Sequence, residues 1–87
     1  MIEVKKFSAS YCAPCKILNP MFDRMKYKVD NNVKFTYIDI EQDEDSAQMY
    51  GVRSVPTVVI EKDGIEMERF VGLQQEIQYL NAINKLK

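Results

Sequence analysis

The chain contains no histidine and no tryptophan. Without an imidazole there is no Ser–His or Cys–His couple to activate a nucleophile, which excludes the common hydrolase mechanisms. Cysteine is scarce, at two residues, Cys12 and Cys15. A disulfide-stapled secreted scaffold carries more of them, spread along the chain, and a closed zinc site needs four Cys or His ligands. An excess of one charge is also missing: 12 Lys and Arg oppose 13 Asp and Glu, for a formal net charge of −1. A nucleic-acid-binding domain would show a basic excess or stripe. No apolar run approaches the ~20 residues that cross a bilayer; the longest aliphatic run is Val58-Val59-Ile60. Glu3, Lys5 and Lys6 fall where a secretory signal would hold its apolar segment. The expectation is a soluble, cytoplasmic monomer with no nucleic-acid or membrane partner.

What is present is enough for one folding unit. At 87 residues, with 46% hydrophobic and 29% charged side chains, a single domain spanning 1–87 can share one core. Ile2, Val4 and Phe7 predict a first strand ending near Ser8. Pro14 marks the first turn of a helix, where its missing N–H has no partner to lose. Ile17, Leu18, Met21, Phe22, Met25 and Val29 give that helix an apolar face, with Pro20 expected to kink it and Asp30-Asn31-Asn32 to end it. Val33 to Ile40 reads as a second strand. Asp43, Glu44 and Asp45 before Ala47, Met49 and Tyr50, then Gly51, read as a short helix. Val55 to Ile60 and Ile65 to Val71 form a hairpin across Asp63-Gly64. Leu73, Ile77, Leu80, Ile83 and Leu86 mark a closing amphipathic helix. The order β-α-β-α-β-β-α predicts an α/β fold: a four-stranded mixed sheet, its first two strands parallel, with helices on both faces.

Cys12-Ala13-Pro14-Cys15 stands between the first strand and the first helix. Unpaired N–H groups and the positive end of the helix dipole favour an anion there, so they stabilise a Cys12 thiolate. A free thiol with pKa near 8.5 is roughly 7% ionised at pH 7.4, against roughly 70% for a pKa of ~7. Cys15, three residues on and facing the core, is expected to be the more buried sulfur, placed to attack a mixed disulfide formed at Cys12. Two inert structural thiols, or a soft-metal site, would also use such a pair. The strand–CxxC–helix setting within a βαβ pattern points to redox chemistry.

Several segments in register resemble the thioredoxin family: Phe7-Ser8-Ala9-Ser10-Tyr11-Cys12-Ala13-Pro14-Cys15-Lys16, then Pro20, Tyr50-Gly51-Val52-Arg53-Ser54-Val55-Pro56-Thr57, Lys62-Asp63-Gly64 and Phe70-Val71-Gly72. The likeness covers essentially the whole chain, minus the strand and helix that ordinarily open a thioredoxin, and so implies a minimal thioredoxin fold. It implies a thiol–disulfide oxidoreductase that reduces protein disulfides, with Cys12 as nucleophile and Cys15 as resolving thiol. No cofactor beyond the cysteine pair is expected. Pro56 is implied to follow a cis bond and to present the Val55 backbone for strand pairing with a substrate. An apolar docking surface is implied at Tyr11, Ala13, Pro14, Ile40, Ser54, Val55, Pro56, Gly72 and Leu73. The implied partners are disulfide-containing clients, a thioredoxin-reductase-like electron donor and, by analogy, a ribonucleotide reductase.

Four positions depart from the family pattern. Tyr11 stands where Trp is usual, and Ala13-Pro14 replaces Gly-Pro. Lys6 stands where the family has a buried acid, and Tyr37 where a lysine usually lies near that acid. A cation at Lys6 would favour thiolate, but the expectation is that Lys6 snorkels, its stem packed and its ammonium in water. Alternative functions are a glutathione-dependent, glutaredoxin-like reductase, a soft-metal-binding module, and a docking module whose cysteines are dispensable. Gly72 lacks the following Gly and Asp common in glutaredoxins, and metallochaperones with one such motif usually end in a strand.

Overall fold

The computed structural model describes residues 1–87. Alternation in the first segment makes β1 (Ile2–Ser8) the central ladder of the sheet: it pairs in parallel with β2 (Val33–Asp39) and antiparallel with β3 (Thr57–Lys62). β4 (Ile65–Val71) completes the order β2-β1-β3-β4. The turn between β3 and β4 needs left-handed backbone at both central residues, and Asp63 (φ 52°) with Gly64 (φ 82°) supplies it. A register shift at Ile60/Glu61 bends this hairpin.

Ile2, Val4 and Lys6 share one face of β1. On that face Ile2, Val4, Val58 and Ile60 pack with Leu18, Phe22 and Met25 of α1 (Ala13–Met25) and with Tyr79, Ala82 and Ile83 of α3 (Glu76–Lys85). On the other face the Phe7 ring lies 5.4 Å from that of Tyr50, which caps α2 (Glu44–Met49). Lys5 and Glu61 form an ion pair there at 3.2 Å, and the Tyr50 hydroxyl donates to Glu61 at 2.5 Å. Helices therefore cover both faces, and the last turn of α2 is pinned by a charged cluster as well as by an aromatic contact.

The elements follow the expected order, with several boundaries moved. α1 runs on through Pro20 but ends at Met25, one turn before Asp30. Tyr27 and Lys28 donate to the carbonyls three residues back, a tighter winding that still lets Val29 reach the core. β2 stops at Asp39, one residue short of Ile40. β3 begins at Thr57 rather than Val55 and reaches Lys62, because Pro56 has no N–H for a ladder. Ile17 and Ile77, read as core residues from their spacing, are exposed. Tyr79, passed over in the apolar periodicity of the last helix, is fully buried: its ring meets Phe70 edge-on at 5.1 Å and its hydroxyl accepts the Gln74 N–H at 3.0 Å.

Tyr79 should therefore dominate the α3 contribution to stability. Tyr79→Ala is expected to cost about 3–5 kcal/mol, in line with other buried aromatic truncations, and Tyr79→Phe about 1 kcal/mol for the orphaned amide. Urea unfolding measures both; a loss under about 1 kcal/mol for the alanine variant would contradict this packing account.

Candidate active site

A turn closed by the Cys12 N–H on the Ala9 carbonyl (3.3 Å) carries the chain from β1 to α1. Cys12 is the N-cap of that helix, Ala13 and Pro14 open its first turn, and Cys15 follows them. The Cys12 Sγ accepts the Cys15 N–H at 3.2 Å, so a free helical donor points at the sulfur. No acidic residue lies in the first turn to compete for it. Cys12 and Cys15 are joined as a disulfide, their Cα atoms 5.3 Å apart. Cys15 is the more enclosed of the two, at 1% exposure against 6%.

Ala9 packs with both cysteines, and Ile40 and Val55 close against this small cluster. Ile40 is held by its N–H on the Ser8 carbonyl at 3.0 Å. The Val55–Pro56 peptide is cis. The carbonyls on either side of Val55 are occupied: Thr57 Oγ1 donates to Ser54 at 2.8 Å, and the Gly72 N–H donates to Pro56 at 2.8 Å. Val55 itself lies outside every helix and strand, and neither its N–H nor its C=O has a hydrogen-bond partner within the chain. Tyr11 stands 70% exposed above the pair, with Ala13, Pro14 and Ser54 also exposed. Two expected members of this surface are packed inward. Pro56 is buried, so its ring is a support rather than a contact. Leu73 packs against the main core, because the positive φ of Gly72 (89°) turns the chain back over the sheet.

The thioredoxin family model matches residues 2–85. The chain is 35% identical over 79 residues to a thioredoxin of Rickettsia conorii, covering 91% of this chain and 75% of that one. It is 32% identical over 84 residues to a thioredoxin of Bacillus subtilis, covering 97% and 81%. Among solved structures, a mutant thioredoxin from Halobacterium salinarum superposes with a TM-score of 0.90 at 33% identity, over 97% of this chain and 73% of that one.

The chain belongs to the thioredoxin family.

It is accordingly a thiol–disulfide oxidoreductase of the protein-disulfide type, acting on disulfide-containing substrates and working with reductase partners. The glutathione-dependent alternative finds no support in these relatives. No group of three His, Cys, Asp or Glu side chains comes together in the fold. The departure from the thioredoxin pattern is greatest at Lys6. That side chain does not snorkel: it is 2% exposed. It points to the α1 face and donates to Asn19 Oδ1, with its ammonium 4.6 Å from the Tyr37 ring centroid and 5.2 Å from that of Phe22. α1 roofs this part of β1, so the stem has no route to water. Tyr37, the register partner of Lys6, hydrogen-bonds Asp23 and lies under Lys26, also at 4.6 Å.

Two contributors escaped the sequence reading. Asn19 had a signal, since it stands four residues after Cys15 on the same helical face. Glu41 had none, because its role depends on a contact 31 residues away: its carboxylate accepts both the Ser10 N–H (3.0 Å) and the Ser10 hydroxyl (2.8 Å), fastening the loop that presents Tyr11 and Cys12.

The Ser10 N–H, then the Ser10 hydroxyl, hold the Glu41 carboxyl below its ordinary value. Because the folded-state value is depressed, this fastening is complete above the ordinary carboxylate pKa and is lost as pH falls through the lowered one. An NMR titration should find the Glu41 midpoint below the ordinary glutamate value, and Ser10→Ala should raise it. A Glu41 midpoint unchanged by that substitution would contradict the assignment.

Proposed function

We propose that this protein acts as a reductant of protein disulfides, with Cys12 attacking and Cys15 resolving. The observation that carries the reading is the placement of Cys12 Sγ on the free N–H of Cys15 at the start of α1, with the second sulfur in bonding reach. Cys12 thiolate attacks one sulfur of the client disulfide, and the displaced client thiolate takes a proton. The Cys15 thiol then gives up its proton and attacks Cys12 Sγ, releasing the second client thiol and leaving the Cys12–Cys15 disulfide. Two electrons pass to the client; a thioredoxin-reductase-like donor returns two electrons and two protons. No cofactor beyond the cysteine pair enters the scheme.

The unpaired N–H and C=O of Val55 support docking of an extended client segment by strand addition, the mode in which backbone bonds give affinity and neighbouring side chains give selectivity. Tyr11, Ala13, Pro14, Ile40, Ser54 and Gly72 form the rim such a segment would cross. The reading places the protein in the cytoplasm and includes a ribonucleotide reductase among its clients by family analogy.

Insulin reduction tests the scheme directly. Cys12→Ser is expected to fall to the uncatalysed background, whereas Cys15→Ser should accumulate a mixed disulfide through Cys12. Turnover surviving in Cys12→Ser would exclude the mechanism. Recycling by a thioredoxin reductase should outpace recycling by glutathione; the reverse order would favour the glutaredoxin-like alternative.

A further inference from the structure

We propose that Lys6 is a positioning residue for the exchange reaction: a buried ammonium, hydrogen-bonded to Asn19 one helical turn after Cys15, that puts positive potential on the cysteine pair and favours its reduced, thiolate-bearing form. This rests on the exchange chemistry just described and assigns its electrostatic tuning to one side chain.

Lys6 is 2% exposed, yet no carboxylate lies within ion-pair distance of its Nζ. Its partners are the Asn19 amide oxygen and the faces of Phe22 and Tyr37, which attract a cation without neutralising it. The charged and titratable groups around it are Asp23 on α1, Lys26 at the α1 C-cap and Tyr37 on β2; Val58, its neighbour on β3, brings none. Asp23 is already engaged by the Tyr37 hydroxyl and lies 4.0 Å from Lys26. One positive charge is left over from the Lys6, Asp23 and Lys26 set. Burial lowers the Lys6 pKa, the expected direction for an ammonium short of anions.

An unpaired buried charge is costly to a fold. This one is tied to α1 through Asn19, four residues and therefore roughly 6 Å of helix axis below Cys15. Forming the disulfide removes any charge from the sulfurs, whereas the dithiol can hold a thiolate. A fixed cation thus acts on the reduced form alone and raises the potential, the same direction in which a stabilised reduced form makes an oxidoreductase more oxidising. It also eases loss of the Cys15 proton during resolution.

Lys6→Met, equilibrated against glutathione, is expected to move the dithiol–disulfide constant about tenfold toward disulfide, or about 30 mV. The pH profile of Cys12 alkylation should move up by about one unit, and Lys6→Arg should restore both. A merely structural Lys6 would change the unfolding midpoint and leave potential and profile in place, which overturns the proposal. The parent chain offers a second test that needs no variant. Coupling is reciprocal, so the Lys6 ammonium followed by NMR should titrate higher in the reduced protein than in the oxidised one; equal values overturn the proposal. A parent chain with no reversible couple would remove the exchange chemistry itself, and the tuning with it.

Discussion

The first turn of α1 is the constraint on which the rest depends. An N-terminal turn leaves N–H groups without helical acceptors, and here one of them, from Cys15, is met by a sulfur rather than by a hydroxyl or carboxylate. The capping requirement of the helix and the chemical requirement of the nucleophile are thus satisfied by one atom. A thiolate at Cys12 is a better cap than a thiol, so whatever stabilises the helix start also stabilises the reactive state. Pro14 fits the same logic, since it needs no acceptor at its position in that turn.

The remaining elements hold that turn in register with a receiving surface. β1 delivers Ala9 against both sulfurs, β2 ends so that Ile40 closes the cluster, and the segment before β3 brings Val55 alongside. Three strands therefore converge at one end of the sheet, and each supplies one apolar contact. The hydrogen bonds flanking Val55 matter as much as its own unpaired groups. Thr57 and Gly72 engage the Ser54 and Pro56 carbonyls and leave the Val55 N–H and C=O open. A floppy edge would have to be ordered on binding, and that cost would be subtracted from affinity.

Local pattern carried much of this into the sequence. Strand alternation, the Asp63-Gly64 turn and the Cys12–Cys15 spacing are set by near neighbours, and all three appear in the fold where they were expected. Helical periodicity was less decisive, because it marks an apolar stripe without saying how wide a stripe the sheet will cover. Ile17 and Ile77 fall off its margin, while Tyr79 lies at its centre with a hydroxyl that finds the Gln74 amide. The hydrogen bond between Ser10 and Glu41 belongs to tertiary structure alone. Lys6 is the instructive failure. Its long stem permits snorkelling in principle, but whether the ammonium reaches water depends on the roof above it, and α1 with Tyr37 closes that roof.

Redox potentials of proteins that use this dithiol chemistry range from about −270 to about −120 mV, a span worth roughly 7 kcal/mol. Capping alone cannot set a position in that range, since the strand–CxxC–helix arrangement serves reductants and oxidants alike. The discriminating contributions must come from groups that differ between members, and these act most strongly where water is excluded. In this chain the exposed departures, Tyr11 and Ala13, lie in solvent, where electrostatic effects are screened. The buried departure is a lysine with no counter-ion, on the helix-facing side of the strand that leads into the site. On the proposed scheme, the surface bears on which disulfides are met and the interior charge on the balance between dithiol and disulfide.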